Sequence, residues 1–175
     1  MRKLTDPGLD DHERKFLTNI EQYGLSITHV LPEGNSPGWS FSAGLYPRYG
    51  HPEIVVFGLN RDVAHWLVNH AADEIREGRP FVPGAEYEGL LEGVRCTFRP
   101  VASVWYDPFL GWARWYHGGD EFPVLQCIWP DHDGHYPWDD GFPEAWKCAQ
   151  PLLFHSGARE ARAEALLASV EEPRG

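Results

Sequence analysis

Ile54-Val55-Val56-Phe57-Gly58 is apolar at every position up to its closing glycine. A run of that kind offers no polar face to water, so it reads as a central strand covered on both sides. Asn60 follows as a helix cap, and Val63, Leu67, Ala71 and Ile75 then recur every four residues. That spacing puts them on one stripe and predicts a helix from Arg61 to about Glu77, stopped by Gly78. A doubly covered strand with an amphipathic helix behind it is the unit around which the rest of the chain is read.

Upstream, Trp39, Phe41, Ala43 and Leu45 alternate with Ser40, Ser42 and Gly44. Leu25, Ile27, His29 and Leu31 likewise alternate with Ser26, Thr28 and Val30. Period two means strands, and the Pro- and Gly-rich segment 32–38 between them predicts an antiparallel hairpin. Before it, Asp10 or Asp11 can cap a helix that carries Phe16, Leu17 and Ile20 inward and ends at Gly24. Residues 1–9 read as a flexible tail.

Downstream, residues 79–92 show no periodicity and read as irregular. Val94, Cys96 and Phe98 mark a further strand, and Val124 to Trp129 another. Asp107-Pro108 predicts a helix start, with the Asp as cap and the Pro at the first helical position, and Gly118-Gly119 predicts its end. A turn-rich segment runs to Gly141, and a short helix spans about Pro143 to Gln150. An Ala-rich helix over about Arg159 to Val170 closes the chain. The expected architecture is α+β: one domain over residues 10–155, a mostly antiparallel sheet of about five strands flanked by helices, and a C-terminal helix with a frayed tail over 156–175.

The chain has 175 residues, 42% of them hydrophobic, with 26 acidic against 15 basic side chains and a net charge of −11. No cluster of Lys and Arg is present to neutralise phosphates, and the same field repels anionic membranes. Nucleic acid and membrane are therefore excluded as expected partners, leaving an unknown protein or small molecule. No apolar run follows Met1-Arg2-Lys3, and none approaches the roughly 20 residues a bilayer requires, so the expected location is cytoplasmic. The three Cys are odd in number and widely spaced, as in a reduced cytosolic protein.

Several fragments carry a resemblance. Ile20-Glu21-Gln22-Tyr23-Gly24, Phe41-Ser42-Ala43-Gly44-Leu45 and Gly50-His51-Pro52-Glu53 are followed by Leu125-Gln126, Trp129-Pro130-Asp131, Gly134, Pro137-Trp138 and Gln150-Pro151-Leu152-Leu153. Together, across about residues 11–154, they resemble the bacterial family catalogued as domain of unknown function 4262. The resemblance implies no reaction and no ligand. Family members often carry Thr-Val where this chain has Ser42-Ala43. Residues 4–10 and the Ala-rich C-terminus lie outside the pattern.

His51 and Glu53, in the loop before the central strand, are the acid–base candidates: a group that titrates near neutrality stands two residues from a carboxylate. The alternative is that both simply bond backbone groups and fix the loop. Trp105, Phe109, Trp112 and Tyr116 share one helical face, either as core or as the wall of a slot for a flat ligand. Trp112, Tyr116, Trp129 and Asp131 are the ligand-binding candidates, on the expectation that this stripe, the Gly50–Glu53 loop and the Trp129-Pro130-Asp131 segment converge. Trp115 lies off the stripe and is an interface candidate if exposed.

No metal site is expected. His65 and His70 are five apart rather than four, and Asp131-His132-Asp133-Gly134-His135 lacks the sixth-position Gly and the twelfth-position Glu of a calcium loop. No cofactor is predicted by a phosphate-cradling motif. The small polar row Ser26, Thr28, Ser40, Ser42 and Gly44 is either solvated or a bed of the kind a flavin would take. Two functions follow: a protein- or small-ligand-binding accessory module, of immunity type for instance, or a small enzyme, flavin-dependent or cofactor-free, with its pocket near the Gly50–Glu53 loop.

Overall fold

The computed structural model describes residues 1–154; the Ala-rich helix expected near Arg159–Val170 and the 156–175 tail lie outside them. Six strands form one sheet in the order β1-β2-β3-β6-β5-β4, and only the β3–β6 pair is parallel. The strands are β1 (Ser26–Val30), β2 (Trp39–Ala43), β3 (Glu53–Phe57), β4 (Glu86–Leu91), β5 (Val94–Pro100) and β6 (Val124–Ile128). All five residues of β3 are buried, the apolar run 54–57 as expected and the carboxylate of Glu53 ahead of it. Helix α1 (Asp11–Tyr23) opens on a reciprocal box: Asp10 accepts from the Glu13 N–H, and Glu13 accepts from the Asp10 N–H. Helix α3 (Arg61–Arg76) starts on Asn60, whose Oδ1 accepts from the Val63 N–H at 2.9 Å.

Alternation along β3 sorts the core into two halves. Val55 and Phe57 pack with Phe16, Leu17 and Ile20 of α1 and with Ala113 and Tyr116 of α5 (Gly111–His117). Ile54 and Val56 face Leu67, Val68, Ala71 and Ile75 of α3. The result is a three-layer arrangement with helices on both faces of the sheet. Residues 1–9, expected as a tail, lie against the first half: Arg2 N–H donates to the Tyr116 carbonyl at 2.8 Å, and Leu4 and Leu9 pack on the core.

Two local expectations are corrected. Residues 86–91, read as irregular, form the edge strand β4. Its pairing with β5 slips between Tyr87 and Leu91, and Glu86, Glu88 and Gly89 are exposed, so no alternation survives in the sequence. Asp107 does not cap a helix. A 3-10 turn at Ser103–Trp105 leads into α4 (Tyr106–Phe109), which places Asp107 and Pro108 inside the first turn, where a missing N–H costs nothing. Leu110, at φ −124° and ψ 33°, then breaks the path before α5.

The remaining elements are the short helices α2 (Leu45–Tyr49) and α6 (Glu144–Lys147). Two buried glutamines tie the last described segment to the sheet as backbone surrogates. Gln126 donates to the Pro151 carbonyl and accepts from the Leu153 N–H, while Gln150 does the same for both backbone groups of Trp129. Cys96 and Cys127 are free and buried side by side; a hydrogen bond with Cys96, and then burial, push the Cys127 thiol up, so it stays an inert thiol.

Candidate functional site

A buried polar cluster gathers where the chain enters β3. Glu53 is 1% exposed, and its carboxylate accepts five hydrogen bonds. Oε1 takes the Gly44 N–H at 2.8 Å, the Tyr46 N–H at 3.3 Å and His117 Nε2 at 3.0 Å. Oε2 takes the Ser42 hydroxyl at 2.7 Å and the Leu45 N–H at 3.2 Å. Ser42 Oγ in turn accepts from the Ile54 N–H. The three backbone donors are the unsatisfied first N–H groups of α2, so Glu53 caps that helix from a neighbouring strand.

Gly44 makes the geometry possible. Its φ of +122° is closed to other residues, and a Cβ there would stand 2.7 Å from the Gly24 carbonyl oxygen.

His117 ends α5 and reaches the same carboxylate. Its ring stacks on Phe122 at 4.1 Å and meets Tyr116 edge-on. With Nε2–H committed to Glu53, Nδ1 makes no hydrogen bond to another described residue. The pair is an oriented imidazole with one free nitrogen, a geometry suited to accepting a proton. Tyr116 lies close enough for Glu53 to act on it: burial first, then the carboxylate charge, raise the Tyr116 hydroxyl above its ordinary 10.

His51 is also buried, and it works for the backbone. Nδ1 donates to the Pro52 carbonyl at 2.7 Å, and Nε2 accepts the Phe81 N–H at 3.1 Å, pinning the segment that leads into β4. His51 and Glu53 make no hydrogen bond to each other; the nitrogen that reaches Glu53 belongs to His117.

The expected three-part site does not assemble in one cleft. β3 and β6 run parallel with Glu53 opposite Val124. Trp129 therefore lies five residues along, about 16 Å up the strand direction, and Asp131 further still. Trp129 and Asp131 follow the opposite end of the sheet from the His51–Glu53 loop. Trp129 Nε1 donates to the Phe57 carbonyl there. Trp105, Phe109 and Tyr116 are core residues, and Trp112 stacks on Phe16 at 5.1 Å. Trp115, the off-stripe residue, is half-buried against Phe16 and carries the Arg2 guanidinium 5.6 Å over its ring.

Asp131 has a structural task. Its oxygens accept from the Asp133 and His135 N–H groups and from His135 Nδ1, closing a tight turn. Burial acts against ionisation here, yet these hydrogen bonds win and hold the Asp131 carboxyl below its ordinary range. Asp133 and His135 bring their ligand atoms within 4.8 Å of it, a grouping that the turn itself accounts for.

The principal concavities lie elsewhere, on the surface. One, of about 640 Å³, is lined by Trp66 of α3 and by Glu88, Leu91, Glu92 and Arg95 of the β4–β5 hairpin. A second of about 290 Å³ shares Gly93, Val94 and Arg95 with it and adds Glu86, His132 and Asp133. Trp66 is 51% exposed and stacks on His70 at 4.9 Å.

The family model described as Domain of unknown function (DUF4262) matches residues 19–143. The chain belongs to the DUF4262 family. No curated protein and no solved structure matches it. The match to DUF4262 takes in Ser42, Gly44, His51, Glu53, Trp66, the β4–β5 hairpin, His117 and Asp131. Among these DUF4262 residues, His117 and Trp66 are ones the sequence pattern leaves invisible. His117 stands 64 positions from Glu53, and its place in the last turn of a helix before Gly118-Gly119 is the only local signal it carries.

Proposed function

We propose that this domain is a non-catalytic binding module that takes a basic segment of a partner protein on its β4–β5 face, the role of an accessory or immunity-type protein. One observation carries the reading: the two adjoining depressions gather four carboxylates, Glu86, Glu88, Glu92 and Asp133, around a single guanidinium, Arg95, beside an exposed Trp66. Arg95 is itself held by Glu88 at 2.7 Å and by Glu86 at 3.9 Å, so the surplus charge is negative. Complementary charge speeds encounter, and an aromatic anchor beside it supplies the apolar contact on which affinity concentrates. The buried polar cluster supports the same reading from the other side, because Glu53 and His51 spend their hydrogen-bonding capacity on backbone groups.

Calorimetric titration with a Lys/Arg-alternating octapeptide tests it. Saturable binding that weakens with salt and is lost in Glu88→Lys/Glu92→Lys is expected; equal binding by the variant would refute the assignment.

A second reading rests on His117. Its Nδ1 has no hydrogen-bond partner among the described residues while Nε2 is oriented by Glu53, the arrangement of a general base in a small enzyme. A flavin-dependent version of that enzyme would colour the purified protein, so its visible absorbance separates the flavin and cofactor-free forms.

A further inference from the structure

Among the described residues the sheet ends in two unpaired edges, and they are built differently. β4 carries a bulge, Gly89 and the exposed charges Glu86 and Glu88, all devices that stop another strand from adding. β1 has none of them. Its sequence, Ser26-Ile27-Thr28-His29-Val30, has no acidic or basic residue of the Asp, Glu, Lys or Arg kind and no proline, and its register with β2 is regular over all five residues. The edge of β1 also borders a depression of about 340 Å³ between α1 and α3, lined by Tyr23, Leu25, Ile27, His65 and Asn69 among others. Two large apolar side chains stand exposed on either side of β1 in the chain, Tyr23 at the end of α1 at 63% and Leu31 just past the strand at 67%.

From this we infer that the β1 edge pairs with the β1 edge of a second copy of the chain, antiparallel about a two-fold axis through Ile27. That register sets Leu25 against His29 and brings Leu31, just past β1, towards the end of α1 in the second copy, where Tyr23 stands exposed. α3 decides between this register and its neighbours. It runs antiparallel to β1, since His29 Nε2 lies 3.2 Å from His65 Nδ1 and Arg76 donates to the Tyr23 carbonyl at 3.2 Å. Two strand residues, from His29 to Ile27, span about 6.6 Å, close to the 6 Å that four helix residues, from His65 to Asn69, span. An axis through Ile27 therefore passes at the level of Asn69.

About that axis the exposed flank of α3 is self-complementary. Asn69 meets Asn69 of the second copy, His65 meets Asp73, and Asp62 meets Arg76. Each of these unlike pairs occurs twice by symmetry, with Arg76 also bound to Asp73 of its own helix. The net charge of −11 opposes association as a whole, but that long-range term is screened by salt within about 10 Å. The proposal is independent of the basic-partner reading: β1 and β4 are opposite edges, so pairing at β1 leaves both acidic grooves facing outward.

Sedimentation velocity of the full chain over a concentration series tests it. The wild-type chain is expected to form a dimer. Leu31→Asp, at an exposed position, is expected to leave the far-UV circular dichroism unchanged and to yield a monomer. Asp62→Arg sets two cations together and should raise the dissociation constant roughly tenfold, and Asp62→Arg/Arg76→Asp should restore it. A wild-type monomer at every concentration, or a dimer unaffected by both Leu31→Asp and Asp62→Arg, overturns the inference.

Discussion

His117 Nε2 donates to Glu53 Oε1 at 3.0 Å, joining the last residue of α5 to the first residue of the central strand across the layer boundary. Together with the Gly44, Leu45 and Tyr46 N–H groups and the Ser42 hydroxyl, it makes Glu53 the fastening of three elements at one end of the sheet. A carboxylate so committed holds the fold before it does any chemistry.

Glu53→Gln tests that statement. An amide offers one oxygen and one NH₂, so the NH₂ must face N–H or O–H donors whichever way it turns. A buried donor set left unsatisfied in this way costs about 2–4 kcal/mol. Urea denaturation of the variant should show a loss of that size; a change near zero would mean that the fastening is dispensable.

Gly44 and Gly50 flank the same helix and should respond differently to alanine. At Gly44 the new Cβ meets the Gly24 carbonyl oxygen at 2.7 Å with φ at +122°, whereas at Gly50, with φ +68°, it meets nothing within 4 Å. Gly44→Ala should cost about 2–4 kcal/mol, and Gly50→Ala only the left-handed penalty of roughly 1–2 kcal/mol. Thermal melts of the two variants side by side check the contrast, and equal losses would contradict it.

His51→Ala separates an anchoring histidine from a catalytic one. The substitution leaves the buried Phe81 N–H without its acceptor, at a cost of about 1–3 kcal/mol. Denaturation should show that loss, and proteolysis should accelerate within residues 79–85; a variant as stable as the parent would free His51 for another role.

Much of this was legible in the sequence because the signals were local. The apolar run 54–57, the four-residue stripe of α3 and the alternation of β1 and β2 each fix an element by its own periodicity, and the hairpin register follows. β4 escaped because its exposed, bulged edge has no apolar row to display. The polar cluster was legible only in part. Glu53 drew notice from its place before a strand, but its partner was assigned to the adjacent His51. The actual partner, His117, depends on how α5 is laid over the sheet, which no local pattern encodes. Strand order likewise decided that Trp129 and Asp131 face away from the Glu53 loop.

The β1 edge should make stability fall in acid. Burial first, then the charges of His65 and Arg61, lower the His29 pKa from 6.5, against an opposing pull from Asp62. Ser40 supplies the remaining contact, at 2.7 Å from Nδ1. The unfolded chain therefore binds this proton more readily than the folded chain does. The contribution is present at neutral pH and is lost as pH falls below about 6.5 towards the lower folded value. Denaturation midpoints measured down this range should decline less steeply in His29→Gln than in the parent; identical slopes would remove His29 from the account.

The central claim is that the acidic β4–β5 face receives a basic protein. Its most direct test is co-purification from the native host with the tagged wild-type chain and with Glu88→Lys/Glu92→Lys in parallel, followed by mass-spectrometric quantification of what each retains. The account predicts a basic protein held by the wild type, released by moderate salt and missing from the charge-reversed variant. A partner retained equally by both, or no partner on the wild type, would contradict it.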